Sequence, residues 1–171
     1  EPEKLLHLHP AERDKVYVTG PSLLLRNVPA DPAQASPRNA GLVCENLHSV
    51  RMNAAGDFKH DYMDTLFAFA KAMGKQNHPV ALRPHPGGQY VIRNKVKLPA
   101  NISLQNEPMY RVELGQYSYG ISAPSSVLID MVLAGIPTAV WQDPAGIIDT
   151  SHYDGLSRIS TLEEWVSFGR D

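Results

Sequence analysis

Two short motifs carry most of the chemistry this chain has to offer. They are the paired hydroxyls Ser125-Ser126 and the proline-flanked imidazole of Arg83-Pro84-His85-Pro86. The serines stand just before the apolar run Val127-Leu128-Ile129, where a helix is expected to begin. A helix N-terminus presents unpaired N–H groups and a partial positive charge, so a phosphate placed there gains bonds from amides and hydroxyls together. The plainer alternative is that one serine only caps the helix. Prolines on both sides of His85 restrict the backbone and aim the ring in a fixed direction. Imidazole donates to a phosphate, or protonates a departing oxygen, near neutral pH; a structural or simply exposed histidine is the alternative. Arg83 opens the same motif and is grouped with it as a phosphate ligand. Gly87 and Gly88 allow close approach of backbone to a ligand, or make a turn. Asp130 follows Ser126 by one helical turn and shares its face, where a carboxylate accepts from ribose hydroxyls; without a ligand it is a favourable charge early in a helix.

Other chemistries find little support. There are seven histidines and one cysteine, but no His-x-x-x-His or Cys-x-x-Cys spacing, and Cys44 with His48 is too little for a site, so no metal is expected. No Gly-x-Gly-x-x-Gly or Walker-type loop is present, which argues against dinucleotide or ATP-hydrolysis chemistry. Asn46, His48 and Asp57 follow the first core strand at the same sheet edge, within reach of a substrate, but a solvated loop is the better explanation for each. The net charge of −2 is spread along the chain, so no nucleic-acid partner is expected and phosphate recognition must be local. A single cysteine suits a reducing cytoplasm, and no apolar run or signal pattern suggests a span or secretion.

The elements that must position these residues alternate. In 171 residues there is room for one compact α/β domain with an irregular lead-in. Residues 15–20 read as a short strand, and residues 21–40, with Pro21, Pro29, Pro32 and Pro37, as a linker or extended loop. From residue 41 onward strands are expected at 41–47, 79–83, 102–105, 117–122 and 138–141. Helices are expected at 60–73, 108–114, from Ser125 or Ser126 to Ala134, and from Ser160 to Phe168. Such alternation predicts a Rossmann-like, doubly wound parallel sheet, with ligands beyond the carboxyl ends of its strands. Both motifs fall at such ends.

Arg83-Pro84-His85-Pro86 together with the run Ser125-Ser126-Val127-Leu128-Ile129-Asp130, closed by Gly135-Ile136-Pro137, resembles the HP and SS motifs of bacterial capsule and wall-polymer transferases. These families include polysialyltransferases, related sialyltransferases, Kdo transferases and CDP-glycerol glycerophosphotransferases. The resemblance spans residues 41–145 and implies one half of a GT-B fold, the nucleotide-binding domain at 41–171. Residues 1–40 then form an interdomain strand and linker, and the N-terminal acceptor domain is absent. It implies that His85 contacts the donor phosphate and assists leaving-group departure, that Ser125 and Ser126 hold that phosphate, and that Asp130, ahead of a Gly-x-Pro turn, binds ribose. The expected donor is a CMP- or CDP-activated sugar or polyol, with no separate cofactor, used in surface polysaccharide synthesis at the cytoplasmic side of a membrane. A full-length protein would supply the glycan acceptor site, the catalytic base and any peripheral membrane contact, and the isolated chain would bind weakly and transfer nothing. Two alternatives stand beside this: a UDP-dependent GT-B transferase or UDP-sugar 2-epimerase-like domain, and a non-catalytic Rossmann-like interaction domain.

Overall fold

A computed structural model describes residues 38–47, 58–146 and 148–171. The expected strand at 15–20 and nearly all of the proline-rich stretch lie outside them. The elements run β1 (Ala40–Cys44), α1 (Phe58–Gly74), β2 (Val80–Arg83), α2 (Tyr90–Arg93), β3 (Ile102–Leu104), β4 (Tyr117–Ser122), α3 (Val127–Leu133), β5 (Thr138–Trp141), β6 (Ser157–Ile159) and α4 (Leu162–Phe168). The strands pair in the order β3-β2-β1-β4-β5-β6, every pair parallel. This is the Rossmann-like, doubly wound arrangement, with β1 at the centre and the strand order reversing beside it.

The central strands are buried along nearly their whole length because both faces are covered. Alternate side chains assign the layers. Val43, Leu82, Ile121 and Trp141 face α1 and α4, whereas Leu42, Cys44, Ala81 and Val140 face α3. On the first face α1 buries Tyr62, Leu66, Phe69, Ala70 and Met73, a stripe at helical spacing. Trp165 of α4 slots between Tyr62 and Phe69, with ring centroids 5.6 and 5.4 Å away in edge-on geometry. Tyr62 also meets Trp141 edge-on at 5.1 Å. Helix α4 starts at a capping box: Thr161 Oγ1 accepts from the Glu164 amide, and the Glu164 carboxylate accepts from the Thr161 and Ser160 amides.

The opposite layer is thinner. Helix α3 lies against β4 at Gly120, where a Cβ would run into Met131. It closes with paired terminal bonds, from Gly135 N–H to Val132 O and from Ile136 N–H to Met131 O, and Gly135 takes the left-handed conformation this needs. The sequence suggests a mostly buried helix, but only Leu128 and Met131 are buried. Ile129, Val132 and Leu133 are 47%, 47% and 42% exposed.

Three further expectations are corrected. The first core strand ends at Cys44 rather than Leu47, because the chain turns off there and commits Glu45 and Asn46 to side-chain bonds. The helix expected at 108–114 is two 3₁₀ turns, Met109–Arg111 and Leu114–Gln116. A sixth strand, β6, completes the sheet; its sequence, Ser157-Arg158-Ile159, is too short and polar to announce a strand. Among the described residues no helix is long and apolar enough to cross a membrane.

Two stability tests follow from this packing. The Tyr119 ring lies directly over Gly41, well inside the space a Cβ would need. Gly41→Ala should therefore destabilise the fold by about 1–3 kcal/mol in urea unfolding, the usual cost of overpacking a core; a neutral result would contradict the ring placement. At α4, Thr161→Ala should cost about 1 kcal/mol. The amides of Thr161 and Ser160 hold the Glu164 carboxyl below its usual range. Its contribution is present above the unfolded carboxyl pKa and is lost as pH falls through the lower folded value. Glu164→Gln should correspondingly flatten the acid limb of a stability–pH profile.

Candidate functional site

The carboxyl ends of β1, β2 and β4 meet at the point where the strand order reverses, and a cleft opens there. Its walls come from Cys44 and Glu45 after β1, Arg83 through Pro86 after β2, Met109, and Ser125 through Val127 with Asp130 at the start of α3. All five residues singled out in the sequence, Arg83, His85, Ser125, Ser126 and Asp130, line this one cleft although they lie on two separate crossings of the sheet. Its volume is about 170 Å³, below the roughly 300–1,000 Å³ of a complete small-molecule pocket.

Each residue is held differently. Arg83 is the last residue of β2 and is buried; its Nη1 donates to the Glu107 carbonyl at 2.5 Å. One of its five N–H donors is thus committed to the protein, which makes the guanidinium a fixed charge and not a swinging arm. Burial pushes the Asp130 carboxyl up, and the Arg83 charge works against that shift, so the two groups are electrostatically coupled across the cleft. The His85 ring is half-buried. Its Nδ1 accepts from the Gly87 amide at 3.1 Å, which places the proton of the neutral ring on Nε2. Gly87 and Gly88 are therefore part of the His85 turn: the His85 carbonyl accepts from Gly88 and Gln89 N–H.

The serines depart from simple caps. Ser126 holds the cap position, but its backbone is already helical (φ −62, ψ −21) and it makes no side-chain cap bond. Ser125 Oγ accepts a long 3.4 Å bond from the Val127 amide. Ser125 is half-buried and Ser126 exposed. Because α3 has only seven residues, or about two turns, the positive character of this corner comes mainly from Arg83.

Two more residues sit at the same junction: Glu45, which sequence reasoning passed over, and Asn46, which it placed in a loop. Glu45 is buried, and its carboxylate accepts from the amides of Tyr90 at 2.5 Å and Val91 at 3.2 Å. Reading β1 through to Leu47 hid it as a strand residue; a charged residue straight after a buried apolar strand was the available signal. Asn46 is no solvated loop residue: it is buried, and its Nδ2 donates to the Pro124 carbonyl, tying the end of β1 to the loop after β4. His48 and Asp57 lie outside the described residues. Among the described residues no group of three His, Cys, Asp or Glu side chains is placed to hold a metal ion.

No protein-family model matches the chain, and no curated protein matches it. Among solved structures, KpsC from Thermosulfurimonas dismutans, a beta Kdo 2,4 transferase, is similar over 88% of this chain and 56% of its own, with 14% identity and a TM-score of 0.48. The chain thus spans little more than half of that protein's length. The fold assignment stands on the strand order and parallel pairing themselves.

Cys44 lines the cleft as an inert wall. It is 4% exposed, and burial pushes its thiol up to about 12, so little reactive thiolate exists near neutral pH. As the sole cysteine it offers a clean probe. A thiol reagent at pH 8 should label native protein only at the rate of opening and label denatured protein at once. Immediate labelling in native buffer would show that this wall of the cleft is not closed.

Proposed function

We propose that this domain holds the phosphate portion of a nucleotide-activated donor for a glycosyl- or polyol-phosphate transferase. The observation that supports the reading best is the convergence of Arg83, His85, Ser125, Ser126 and Asp130 on one cleft at the reversal point of a doubly wound sheet, where this class of fold binds ligands. Arg83 supplies fixed positive charge, the serine hydroxyls and neighbouring amides supply donors, and His85 presents Nε2–H as donor or acid to the leaving phosphate oxygen. Asp130, one turn behind Ser126, takes the ribose hydroxyls. The likeness of the two motifs to capsule and wall-polymer transferases makes CMP or CDP the preferred carrier. A cleft of this size accommodates the phosphates, while the sugar, the acceptor and the catalytic base belong to an opposing domain of a GT-B enzyme, with residues 41–171 as its nucleotide-binding half. On this reading the domain alone is a binder and not a catalyst.

Calorimetric titration with CMP, CDP, UMP and UDP tests the proposal. Cytidine nucleotides should bind in preference to uridine nucleotides. Ser125→Ala with Ser126→Ala should weaken binding by about 1–3 kcal/mol, roughly 5- to 150-fold, the worth of one or two charge-assisted hydrogen bonds. His85→Ala should weaken it in the same direction. A uridine preference would turn the reading towards a UDP-sugar enzyme. Absence of binding by all four, or binding indifferent to both serines, would leave a Rossmann-like interaction domain instead.

A further inference from the structure

The turn that carries His85 has no cap of its own. Helix α2 is four residues long, and Gln89, at its cap position, makes no side-chain cap bond and stands in the left-handed region (φ 48, ψ 46). An unforced non-glycine residue seldom adopts that conformation. Here it turns the first amides of α2 back towards the sheet, and the group that meets them is the Glu45 carboxylate, 45 residues earlier in sequence, with one oxygen on Tyr90 N–H and the other on Val91 N–H. The Glu45 main chain is fixed to the same segment from the other side, its N–H donating to the Arg83 carbonyl at 3.0 Å. Between these two anchors lies the His85 turn, closed by the bonds from Gly87 N–H to His85 Nδ1 and from Gly88 and Gln89 N–H to the His85 carbonyl. A carboxylate so engaged accepts from amides with both oxygens and is poorly placed to act as a base. Burial pushes it up, and the amides of Tyr90, Val91 and His85 pull it back.

From these contacts we infer that Glu45 is the positioning residue of the cleft: it clamps the amides of Tyr90 and Val91 to the end of the central strand and thereby fixes the direction of the His85 ring within the cleft that Ser125 and Ser126 also line. The role of that direction in donor binding rests on the function proposed above; the clamp itself does not. A carboxylate is needed because two amides must be met at once. Glutamine offers one oxygen and turns an NH₂ towards the second amide, and alanine offers neither.

Proton–nitrogen NMR of the full chain, wild type against Glu45→Gln and Glu45→Ala, tests the clamp without any nucleotide. The Tyr90 and Val91 amides should lose downfield shift and exchange protection in the order wild type, Gln, Ala, and the His85 ring resonances and their titration should move in parallel. If Glu45→Ala fails to fold, the near-isosteric Glu45→Gln still decides the matter. Unchanged Tyr90 and Val91 amides in Glu45→Gln would overturn the clamp. Changed amides with an unmoved His85 ring would reduce Glu45 to a helix cap and overturn the positioning role. The same proteins are then titrated with CDP. Binding should fall at least fivefold in Glu45→Gln and further in any folded Glu45→Ala, and equal binding by wild type and Glu45→Gln would refute the link between clamp and site. Wild-type protein that binds no CDP would remove the functional reading, while the His85 ring shifts would still judge the clamp.

Discussion

Everything at the cleft depends on one topological constraint: β1 has a parallel partner on each side, and the chain that leaves it cannot cover both. From β1 the polypeptide crosses to β2 and β3; only later does it return to β4 and continue outward through β5 and β6. Right-handed crossovers on the two halves of such a sheet place their helices on opposite faces. The carboxyl ends of β1 and β4 therefore lie side by side where the strand order reverses. Such a reversal point collects the side chains that follow the strand ends. Here those are Glu45, the His85 turn and the two serines.

A crevice held open by topology still needs rigid walls, and the thicker layer supplies them. Tyr62 packs its ring against Trp141 and Trp165 while its hydroxyl donates to the Cys44 carbonyl at 2.8 Å. Edge-on aromatic pairs add about 0.5–1.5 kcal/mol each beyond the area they bury, so several of them make this face the stiffer one. The Ser122 hydroxyl, at the end of β4, donates to the carbonyl of its neighbour Ala123 at 2.7 Å. The last carbonyl of the central strand is thus satisfied from the helix layer by Tyr62. The opposite layer, where α3 is seven residues long and leaves Ile129, Val132 and Leu133 exposed, has less to hold it. The site therefore joins a rigid wall, bearing Glu45 and His85, to a lighter one bearing the serines and Asp130.

How much of this was legible in the sequence follows from which signals are local. Val80–Arg83, Tyr117–Ser122 and Thr138–Trp141 are short apolar runs ended by proline or polar residues, and the α1 stripe repeats over four turns, so periodicity alone finds them. Arg83, His85 and the serines were visible because they follow the ends of such runs, and Asp130 because it is the one charge within the apolar run of α3. Glu45, β6 and the tie made by Asn46 were not. Glu45 and Asn46 acquire their roles from amides and a carbonyl 45 and 78 residues distant, which no window of sequence contains. Strand β6 is made by Trp141 and its neighbours offering an edge, not by the preference of Ser157-Arg158-Ile159. The exposure of α3 was hidden for the same reason: its composition is that of a core helix, and its surroundings are not.

The charge arrangement looks unfavourable for an anion until each group is followed to its partner. Two carboxylates, Glu45 and Asp130, line this small cleft together with Arg83, and an uncompensated pair of them would repel a phosphate. Glu45 spends its charge on two main-chain amides, so what it presents to the cleft is already neutralised locally by oriented dipoles. Asp130 is half-buried, its carboxyl raised by burial and restrained by Arg83, and it stands one helical turn beyond Ser126. On the function proposed above, the guanidinium, the His85 ring and the serine hydroxyls would define an anion-favouring corner, with an acceptor-only carboxylate at its margin. A phosphate ester of a vicinal diol has that same polarity along its length: acceptors at one end, donors at the other.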